Sequence, residues 1–322
     1  MKILVTGGCG FIGSHVVDMF VAAGHDVVIV DNLSSGTLDN KNEKARFYHE
    51  DICEPGLEAI VRDERPDIID HHAAQISVPA SVENPLVDAE VNIKGTIRLL
   101  ELARRYSARK FLFASTGGAI YGEAKTVPTP EEYVPEPASP YAISKMSCEH
   151  YIRFYGQQHN VGYVILRYSN VYGPRQIPHG EAGVVAIFTE SIMRGELPTL
   201  YHFPEAPEGM IRDYCFVKDV ASANFLAAQF DRPGTFNIAT GTGTTTMALY
   251  AATIQTLRNK GLTISSALDN PKRGGAREGD IKVSTLNPAR ARKELGFHPA
   301  FSLEDGLSET VAWYLSRTKG RG

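Results

Sequence analysis

The sequence predicts an α/β fold: a doubly wound parallel sheet with a smaller mixed α/β lobe formed largely by the C-terminal part of the chain. Short apolar runs, such as KILVTG, DVVIVDN and ARKFLFAST, alternate with longer segments of helical periodicity through the first half. Apolar runs separated by helices are typical of parallel strands that are buried on both faces. After residue 170, segments rich in Pro and Gly, such as HFPEAPEGM, indicate loops, which favours a separate lobe.

Composition and charge narrow the functional class. The 322 residues suffice for one large core with a smaller lobe, and a hydrophobic content of 43% and a charged content of 22% are ordinary for a globular protein. A net charge of −4 gives no reason to expect nucleic acid or an anionic membrane as a partner. No apolar run is long enough to span a membrane, and the first strand leaves no room for a signal peptide, so we expect a cytoplasmic protein.

The cysteines indicate neither disulfides nor a metal site. Cys9, Cys53, Cys148 and Cys215 are widely separated and form no CxxC pair. This spacing is unlike a disulfide framework or a structural zinc site. We therefore expect reduced thiols and no bound metal.

A glycine-rich segment, TGGCGFIGSH, follows the first predicted strand and opens the first predicted helix. Gly7, Gly10 and Gly13 form a GxxGxxG variant of the dinucleotide fingerprint, with Phe11 and Ile12 between the last two glycines. Glycine lets the backbone turn tightly and approach a pyrophosphate, which then lies at the positive end of the helix. Because a strand precedes and a helix follows, the segment predicts a Rossmann-type domain rather than an ordinary turn.

An acidic residue at the end of the second predicted strand indicates which dinucleotide binds. Asp31, followed by Asn32, stands where a carboxylate accepts hydrogen bonds from the adenosine ribose and repels the extra phosphate of NADP. The alternative is a turn-initiating Asp in DNLSSG, but its place after the glycine helix favours NAD. Asp51 and Ile52, in HEDIC, are candidates for the adenine pocket, with an ordinary loop as the alternative.

The segment SPYAISK places Tyr141 four residues before Lys145. In a helix this spacing brings the two side chains onto one face, where such a pair is most often an ordinary solvated surface. The spacing alone therefore leaves open whether the two residues take part in proton transfer.

Taken together, the segments resemble the extended short-chain dehydrogenase/reductase family and, within it, the NAD-dependent epimerase/dehydratase group, closest to the UDP-glucose 4-epimerase branch. The resemblance runs nearly end to end, and it rests on the order of TGGCGFIGSH, DNLSSG, HHAAQISVPASVENPLVDAEVNIKGT, ASTGGAIYGE, SPYAISK, LRYSNVYGPRQ, IRDYCFVKDVA and REGDI.

The resemblance implies a catalytic role for the Tyr and Lys of YxxxK. Tyr141 would be the acid/base, and Lys145 would hold the nicotinamide ribose. We expect the ammonium and the charged nicotinamide to lower the Tyr141 pKa from its usual value near 10. The third member is Thr116 when ASTGGAIYGE is matched from the strand side. Counting back from IYG would select Gly117, which has no hydroxyl.

The resemblance also implies a set of cofactor-binding residues around NAD. They are Gly7, Gly10, Phe11, Ile12, Gly13, Asp31, Asn32, Asp51, Ile52, His72, Ala73, Ala74, Gln75, Asn92, Ser115, Tyr141, Lys145 and Tyr168. His71 and His72 are interpreted as cofactor-pocket wall rather than metal ligands, because a lone HH without suitably spaced partners is poor evidence for a metal.

Gly117 and Gly118 argue against sugar-nucleotide dehydration, another activity of the epimerase/dehydratase group. Sugar-nucleotide 4,6-dehydratases carry an acidic pair after the Thr, which moves protons during elimination of water. Here those places hold Gly117 and Gly118, which cannot act as acid or base. Dehydration is therefore disfavoured, and UDP-glucuronate decarboxylation is disfavoured for the same reason.

For the substrate, the resemblance implies a UDP-sugar bound in the second lobe. Asn170 matches a residue that contacts the nucleotide-sugar phosphates, and Arg212 and Arg277 match arginines that bind the pyrophosphate, a task suited to a planar bidentate cation. Asp280 matches a residue that holds the uridine ribose, and Tyr201 is a weaker candidate for stacking on uracil. Without the flanking motifs, each arginine would be interpreted as a solvated surface residue.

The identity of the sugar depends on fewer residues. Ser284 stands four residues beyond the Asp of REGD, and the resemblance implies that a bulky Tyr at this position excludes N-acetyl sugars whereas a small residue admits them. We therefore expect UDP-N-acetylglucosamine to be accepted alongside UDP-glucose. Glucuronate epimerases read TVYGPxxRPDM where this chain reads NVYGPRQIPHG, and Asn170 and Ile177 replace the expected Thr and Arg. UDP-glucuronate stays an alternative because Arg175 or His179 could reach a carboxylate.

The expected organisation follows from these assignments. Residues 1–170 form the NAD-binding Rossmann domain, which 214–240 rejoin, and 171–213 with 241–322 form the nucleotide-sugar lobe. By analogy with the family, helices near NIKGTIRLLELA and SPYAISKMSCEHYIRFYG would pair in a homodimer. Two other functions stay open: a net NAD-dependent dehydrogenase or reductase, and a non-catalytic NAD-binding protein.

Overall fold

The protein is described by a computed structural model for residues 1–178, 183–277 and 279–319. The strands within these residues are β1 (Lys2–Thr6), β2 (Asp26–Asp31), β3 (Arg46–His49), β4 (Ile68–His71), β5 (Lys110–Thr116), β6 (Gly162–Tyr168), β7 (Asn170–Tyr172), β8 (Thr199–His202), β9 (Ile211–Arg212), β10 (Tyr214–Phe216), β11 (Gly234–Ile238), β12 (Thr244–Thr245), β13 (Lys272–Gly275) and β14 (Val283–Ser284).

Helices follow most strands of the first half, as the alternating pattern predicts. The α-helices are α1 (Phe11–Ala22), α2 (Gly56–Glu64), α3 (Val78–Glu83), α4 (Pro85–Ala89), α5 (Gly95–Arg105), α6 (Gly117–Ile120), α7 (Pro140–His159), α8 (Val184–Met193), α9 (Val217–Gln229), α10 (Thr246–Asn259) and α11 (Leu303–Lys319). Single π-helical turns occur at Glu90–Lys94 and Ala291–Leu295, and 3₁₀ turns at Leu38–Asn40 and Ser266–Leu268.

The main sheet has seven parallel strands in the order β11-β6-β5-β4-β1-β2-β3. The winding direction changes between β1 and β4, because β2 and β3 lie on one side of β1 and the later strands on the other. In doubly wound sheets a ligand binds in the crevice outside the carboxyl ends of the strands at this point. The predicted fold class is confirmed.

Helices cover both faces of the sheet. On one face, α1 and α9 pack against side chains such as Val5 and Leu112. On the other face, α2, α5 and α7 pack against side chains such as Leu4 and Phe111. Successive strand residues point to opposite faces, so burial on both sides accounts for the uninterrupted apolar runs.

The smaller lobe has its own core and short mixed sheets. Helices α8, α10 and α11 pack around Phe188, Tyr250 and Val311. Strand β9 pairs antiparallel with β12 and parallel with β14, and β8 pairs parallel with β13. Strand β11 returns to the main sheet and pairs with β6 at its edge.

In the described ranges, no helix has both the length and the apolar character that crossing a membrane requires.

Candidate active site

The glycine loop between β1 and α1 forms the floor of the crevice. Gly7 adopts φ +68°, and a Cβ there would lie 2.7 Å from the Ala73 backbone nitrogen. A Cβ on Gly13 would lie 2.2 Å from the Gly7 carbonyl oxygen. Larger residues would therefore push the loop away from α1 and from the segment after β4. Gly10 caps α1 without a side-chain hydrogen bond, which leaves the first helical amides available to a phosphate group.

The Asp31 carboxylate is held in place at the end of β2. Its Oδ2 accepts a hydrogen bond from the Cys9 amide at 2.9 Å, and its Oδ1 accepts one from the Leu33 amide at 2.8 Å. Asn32 Nδ2 donates to Asp51 Oδ2 at 2.7 Å, which joins the two loops that follow β2 and β3. The arrangement presents fixed acceptors next to the glycine loop.

A first cavity lies above the carboxyl ends of these strands and brings together sixteen of the eighteen residues predicted to bind the cofactor. They are Gly7, Gly10, Phe11, Ile12, Gly13, Asp31, Asn32, Asp51, Ile52, His72, Ala73, Ala74, Ser115, Tyr141, Lys145 and Tyr168. The cavity is therefore shared by the glycine loop and the Tyr141–Lys145 pair.

The other two predicted residues, Gln75 and Asn92, do not line this cavity. The Asn92 amide is bonded to the Gln75 backbone on both sides: Oδ1 accepts from the nitrogen and Nδ2 donates to the oxygen, each at 3.0 Å. Both side chains also donate to the buried carboxylate of Asp88. Through these contacts the two side chains support the wall of the cavity from behind and do not form part of its surface.

Sequence reasoning missed several lining residues of the first cavity. They are Val30, Ser34, Ser35, Glu50, Ile76, Val91 and Ala114. Most lie one to three residues from a predicted position. The turn DNLSSG was the available signal for the two serines, but a Ser-rich turn has the same composition whether or not it contacts a ligand.

Tyr141 and Lys145 lie on the first turns of α7. Ser139 caps the helix by accepting from the Ala142 amide at 3.2 Å, with Pro140 at the first helical position. Lys145 Nζ donates to the Ala114 carbonyl oxygen at 3.0 Å and lies 4.8 Å from the centre of the Phe113 ring. The cap and this bond place the pair beside the end of β5.

Burial controls the pKa values of the pair. It raises the pKa of Tyr141 above its ordinary value, and the Asp88 carboxylate and Cys148 raise it further. Burial also lowers the pKa of Lys145 to about 8, against raising effects of Cys148, Asp88 and Glu149. In the chain alone, the Tyr141 pKa is thus shifted opposite to the sequence expectation. A phenolate near neutral pH depends on positive charge brought by the cofactor.

Thr116 ends β5 and precedes α6. The neighbouring Ser115 hydroxyl donates to Glu149 Oε1 at 2.7 Å and is therefore engaged in the interior. A Cβ on Gly118 would lie 3.9 Å from Thr116 Oγ1 and 3.7 Å from Asn170 Oδ1, so both side chains border Gly118. A Cβ on Gly117 would instead lie 2.3 Å from Leu286 Cδ1. Thr116 lines neither cavity; it follows Ser115, which lines the first, and borders Gly118 together with Asn170, which lines the second.

A second cavity, in the smaller lobe, brings together five of the predicted substrate residues: Asn170, Tyr201, Arg212, Arg277 and Asp280. The Arg277 guanidinium lies 4.5 Å from the centre of the Tyr201 ring, and its backbone nitrogen donates to Asp280 Oδ2 at 2.8 Å. Burial lowers the pKa of Arg212, an effect that an anionic ligand would oppose. The cavity thus combines two cations with an aromatic face.

Helix α8 also contributes to the surface of the second cavity, although its sequence shows only a helical pattern. Val184, Ile187, Phe188 and Ser191 line the second cavity. An apolar helical face has the same periodicity whether it packs on a core or on a ligand, so the pattern could not distinguish the two.

Ser284 and Arg175 have different surroundings from the predicted ligand residues. Ser284 lines neither cavity; it lies on β14, in register with Arg212 on β9. Arg175 Nη2 pairs with Asp18 Oδ2 of α1 at 2.7 Å, so its charge is already partly balanced. His179, the other candidate for binding a uronate, lies outside the described residues.

His71 ends β4 and His72 follows it, and their largely buried side chains have separate partners. His71 Nδ1 and Nε2 lie 2.7 and 3.1 Å from the hydroxyls of Thr6 and Thr96. His72 lines the first cavity, and its Nε2 lies 3.0 Å from Asp70 Oδ1. Among the residues that the structure describes, no group of His, Cys, Asp and Glu is arranged to hold a metal ion.

Comparison with known proteins agrees with this geometry. A sequence model of the NAD dependent epimerase/dehydratase family matches residues 3–239. The UDP-glucose 4-epimerase of Thermotoga maritima, solved with UDP-glucose, is 45% identical, with a TM-score of 0.91 over 99% of this chain and 100% of that chain. The UDP-glucose 4-epimerase of Thermus thermophilus, solved with NAD, is 42% identical, with a TM-score of 0.90 over 98% and 99%.

A third solved structure belongs to a protein with a different sugar in its name. The UDP-N-acetylglucosamine 4-epimerase of Methanobrevibacter ruminantium, in complex with UDP-N-acetylmuramic acid, is 36% identical, with a TM-score of 0.90 over 98% of each chain. The family match covers most of the sequence, and the structural matches cover nearly all of it. The chain therefore belongs to the NAD dependent epimerase/dehydratase family.

Proposed function

We propose that the protein interconverts the C4 epimers of a UDP-hexose while retaining NAD, as a UDP-sugar 4-epimerase. The observation that carries the proposal is that the predicted cofactor and substrate residues line two cavities, with the predicted third catalytic residue bordering a residue of the second. The first holds Tyr141 and Lys145, and the second holds Arg212 and Arg277. Thr116 follows Ser115 of the first cavity and borders Gly118 together with Asn170 of the second. A cofactor in the first cavity and a sugar nucleotide in the second would meet at these side chains.

In the proposed reaction, Tyr141 removes the proton of the C4 hydroxyl, and Thr116 donates a hydrogen bond to the same oxygen. Bound NAD+ accepts the C4 hydride and later returns it. The 4-keto sugar turns about its pyrophosphate bonds between these steps and presents its opposite face. Tyr141 then returns the proton, so C4 is inverted without net oxidation.

The remaining cofactor residues would bind NAD tightly, so that the reduced cofactor does not dissociate while the 4-keto sugar is present. Asp31 would accept hydrogen bonds from the adenosine ribose, and Lys145 would hold the nicotinamide ribose. The free amides at the start of α1 would bind the pyrophosphate. The residues 1–170, with 214–240, form the NAD-binding domain in this proposal, and 171–213 with 241–322 form the sugar-nucleotide lobe.

The proposal assigns UDP to the second cavity. Arg212, Arg277 and Asn170 would bind the two phosphates, Asp280 would bind the uridine ribose, and Tyr201 would contact the uracil. Ser284, beside Arg212, leaves space for an N-acetyl group, so both UDP-glucose and UDP-N-acetylglucosamine are proposed substrates. The names of the solved relatives, which include both sugars, support this range.

We also propose that the protein is a cytoplasmic homodimer. Apolar side chains of α7, one of the two helices expected at the interface, are exposed together with those of α3 and α4, among them Val82, Leu86, Ile143 and Phe154, whereas apolar side chains of the other expected helix, α5, such as Leu99, are buried within the chain. Large exposed apolar groups on adjacent helices are typical of an interface, and burying them against a second copy would form a helical bundle. Light scattering during size-exclusion chromatography should give the dimer mass, and Leu86→Glu should shift the protein toward the monomer.

The activity is tested with purified protein, without added cofactor, incubated separately with UDP-glucose and UDP-N-acetylglucosamine. C4 epimers without accumulation of NADH would support the epimerase. Stoichiometric NADH with an oxidised sugar would show a net dehydrogenase, and bound NAD without turnover of any UDP-sugar would show a binding protein. Tyr141→Phe should abolish turnover and leave the NAD content unchanged; persistent activity would contradict the proposed acid/base.

A further inference from the structure

The buried carboxylate of Asp88, on α4, joins the wall of the first cavity to helix α7. Asp88 is 1% exposed. Its Oδ1 accepts hydrogen bonds from Gln75 Nε2 and Asn92 Nδ2, each at 2.9 Å, and its Oδ2 accepts one from Ser144 Oγ at 2.6 Å. All three partners are hydrogen-bond donors to the two carboxylate oxygens.

On the cofactor side, these bonds fix the segment 73–76. Ala73, Ala74 and Ile76 line the first cavity, and Gln75 points away from it toward Asp88. Asn92 holds the backbone of Gln75 at both its nitrogen and its oxygen. Asn92 itself lies in the π-helical turn 90–94, a local widening of the helix that is frequent at functional sites. Asp88 therefore secures this wall through two independent side chains.

On the catalytic side, the same carboxylate holds α7. Ser144 lies immediately before Lys145 and one turn after Tyr141. Two further contacts connect α7 to the same region: the Tyr141 amide donates to Ser81 Oγ at 3.2 Å, and Cys148 Sγ lies 3.1 Å from the Asn92 carbonyl oxygen. The position of Tyr141 relative to the cofactor wall is thus set through Asp88 and its neighbours.

The charge of Asp88 also acts on Tyr141. The titratable groups that act on the phenol are Asp88 from α4 and Cys148 from α7. The Glu149 carboxylate forms an ion pair with Arg167 at 2.7 Å, whereas no Lys or Arg of the described residues lies within ion-pair distance of Asp88. After burial, the Asp88 charge is the largest effect raising the Tyr141 pKa.

We propose that Asp88 is a positioning residue that aligns the segment 73–76 with Tyr141 through its bonds to Gln75, Asn92 and Ser144. Its negative charge also opposes formation of the phenolate until the cofactor is bound. Proton transfer then depends on an occupied first cavity. The inference rests on the proposed epimerase function, but its geometry is independent of the sugar.

Asp88→Asn and Ser144→Ala separate the two effects. Asparagine removes the charge and keeps the links, since its oxygen can accept from Gln75 and Asn92 and its amide can donate to Ser144. We expect the acid limb of the kcat profile to move down by about one pH unit, a typical effect of one charge nearby in a protein. Ser144→Ala keeps the charge of Asp88, so the acid limb of the kcat profile should not move to lower pH. Because Tyr141 would no longer be aligned with the segment 73–76, kcat should fall about tenfold.

The Tyr141 pKa is also measured without turnover, from the ultraviolet phenolate band of the NAD-bound protein. The Tyr141→Phe form of each background is subtracted, so that the other tyrosines cancel. We expect the pKa to fall in Asp88→Asn and to be unchanged or higher in Ser144→Ala. An unchanged pKa in folded, NAD-bound Asp88→Asn would overturn the proposal. If that variant does not fold, Asp88→Thr provides the second neutral substitution and is judged by the same criterion.

Failure of this inference is distinguishable from failure of the proposed function. A wild-type protein that turns over no UDP-sugar would contradict the epimerase, while the spectroscopic titration would still test Asp88. An active wild type whose pH profile matches that of Asp88→Asn would contradict the role of Asp88 alone.

Discussion

Glu149 and Arg167 form a buried bidentate ion pair behind the candidate active site, with Nε to Oε1 at 2.9 Å and Nη2 to Oε2 at 2.7 Å. The Ser115 hydroxyl donates to the same carboxylate. The cluster therefore joins α7, β6 and β5. Because Tyr141 is on α7 and Thr116 follows Ser115 on β5, the ion pair fixes the two parts of the proposed catalytic set relative to each other.

Removing one partner of this ion pair should be strongly destabilising. In Glu149→Gln the Arg167 charge stays buried without its partner, and the expected loss is about 3–5 kcal/mol in the free energy of unfolding. Urea unfolding followed by circular dichroism measures it. Asp63→Asn is the matched control, because Asp63 forms a 2.8 Å pair with Arg62 on the surface. A loss for Glu149→Gln no larger than that for the control would contradict this interpretation.

Lys145 allows a test by pH. Burial lowers its pKa from 10.5 to about 8, so between these values the unfolded chain binds more protons than the folded protein. Its contribution to the free energy of unfolding therefore rises as the pH increases from about 8 toward about 10. Relative to Lys145→Met, the NAD-free wild type should gain about 2 kcal/mol across this interval in urea unfolding. Parallel stability curves for the two proteins would show that Lys145 is not perturbed.

The sequence was sufficient for features that depend on neighbours along the chain. The glycine loop and the Tyr141–Lys145 spacing are local patterns, and the fold brings them to one cavity because they follow parallel strands that end at the same edge. The order of these motifs also predicted the family. Each of these inferences uses only the sequence periodicity of the helices and strands and the common direction of the parallel strands.

Other features depend on contacts between distant segments, which no local pattern contains. Gln75 and Asn92 were predicted to contact the cofactor, yet their side chains turn to Asp88, which the sequence did not single out. The direction of the Tyr141 pKa shift was also beyond the sequence, because it depends on how deeply α7 buries the phenol. The spacing along the sequence identified candidate site residues, whereas the packing of distant segments determined the surroundings of their side chains.

The closeness of Gly13 to Gly7 predicts a graded effect on cofactor binding. A Cβ on Gly13 would lie 2.2 Å from the Gly7 carbonyl oxygen, whereas a Cβ on Gly10 would lie 3.2 Å from the same atom. Gly13→Ala must therefore displace the loop, at a cost of about 1–3 kcal/mol, which weakens NAD binding roughly 10- to 100-fold. Gly10→Ala should weaken it less. The NAD content after purification, and calorimetric titration of stripped protein, distinguish the two, and an equal effect of both substitutions would contradict the steric argument.

Ser284 predicts a change in substrate selectivity rather than in overall activity. Its strand places it beside Arg212, and two residues later Leu286 packs against Gly117. In Ser284→Tyr, the larger side chain fills space next to the proposed sugar site. The kcat/KM for UDP-N-acetylglucosamine should fall on the order of 100-fold, while that for UDP-glucose changes little, because a filled pocket rejects the larger group by steric overlap.

Ser284→Ala is the matched control for this substitution, since it removes the hydroxyl and adds no volume. Both substrates should keep their rates in that variant. Equal losses for the two sugars in Ser284→Tyr would show that the residue supports the fold of β9 and β14 instead of limiting the sugar. A selective loss for the N-acetyl sugar would show that Ser284, which lines neither cavity, can still limit the size of the substrate from its place beside Arg212.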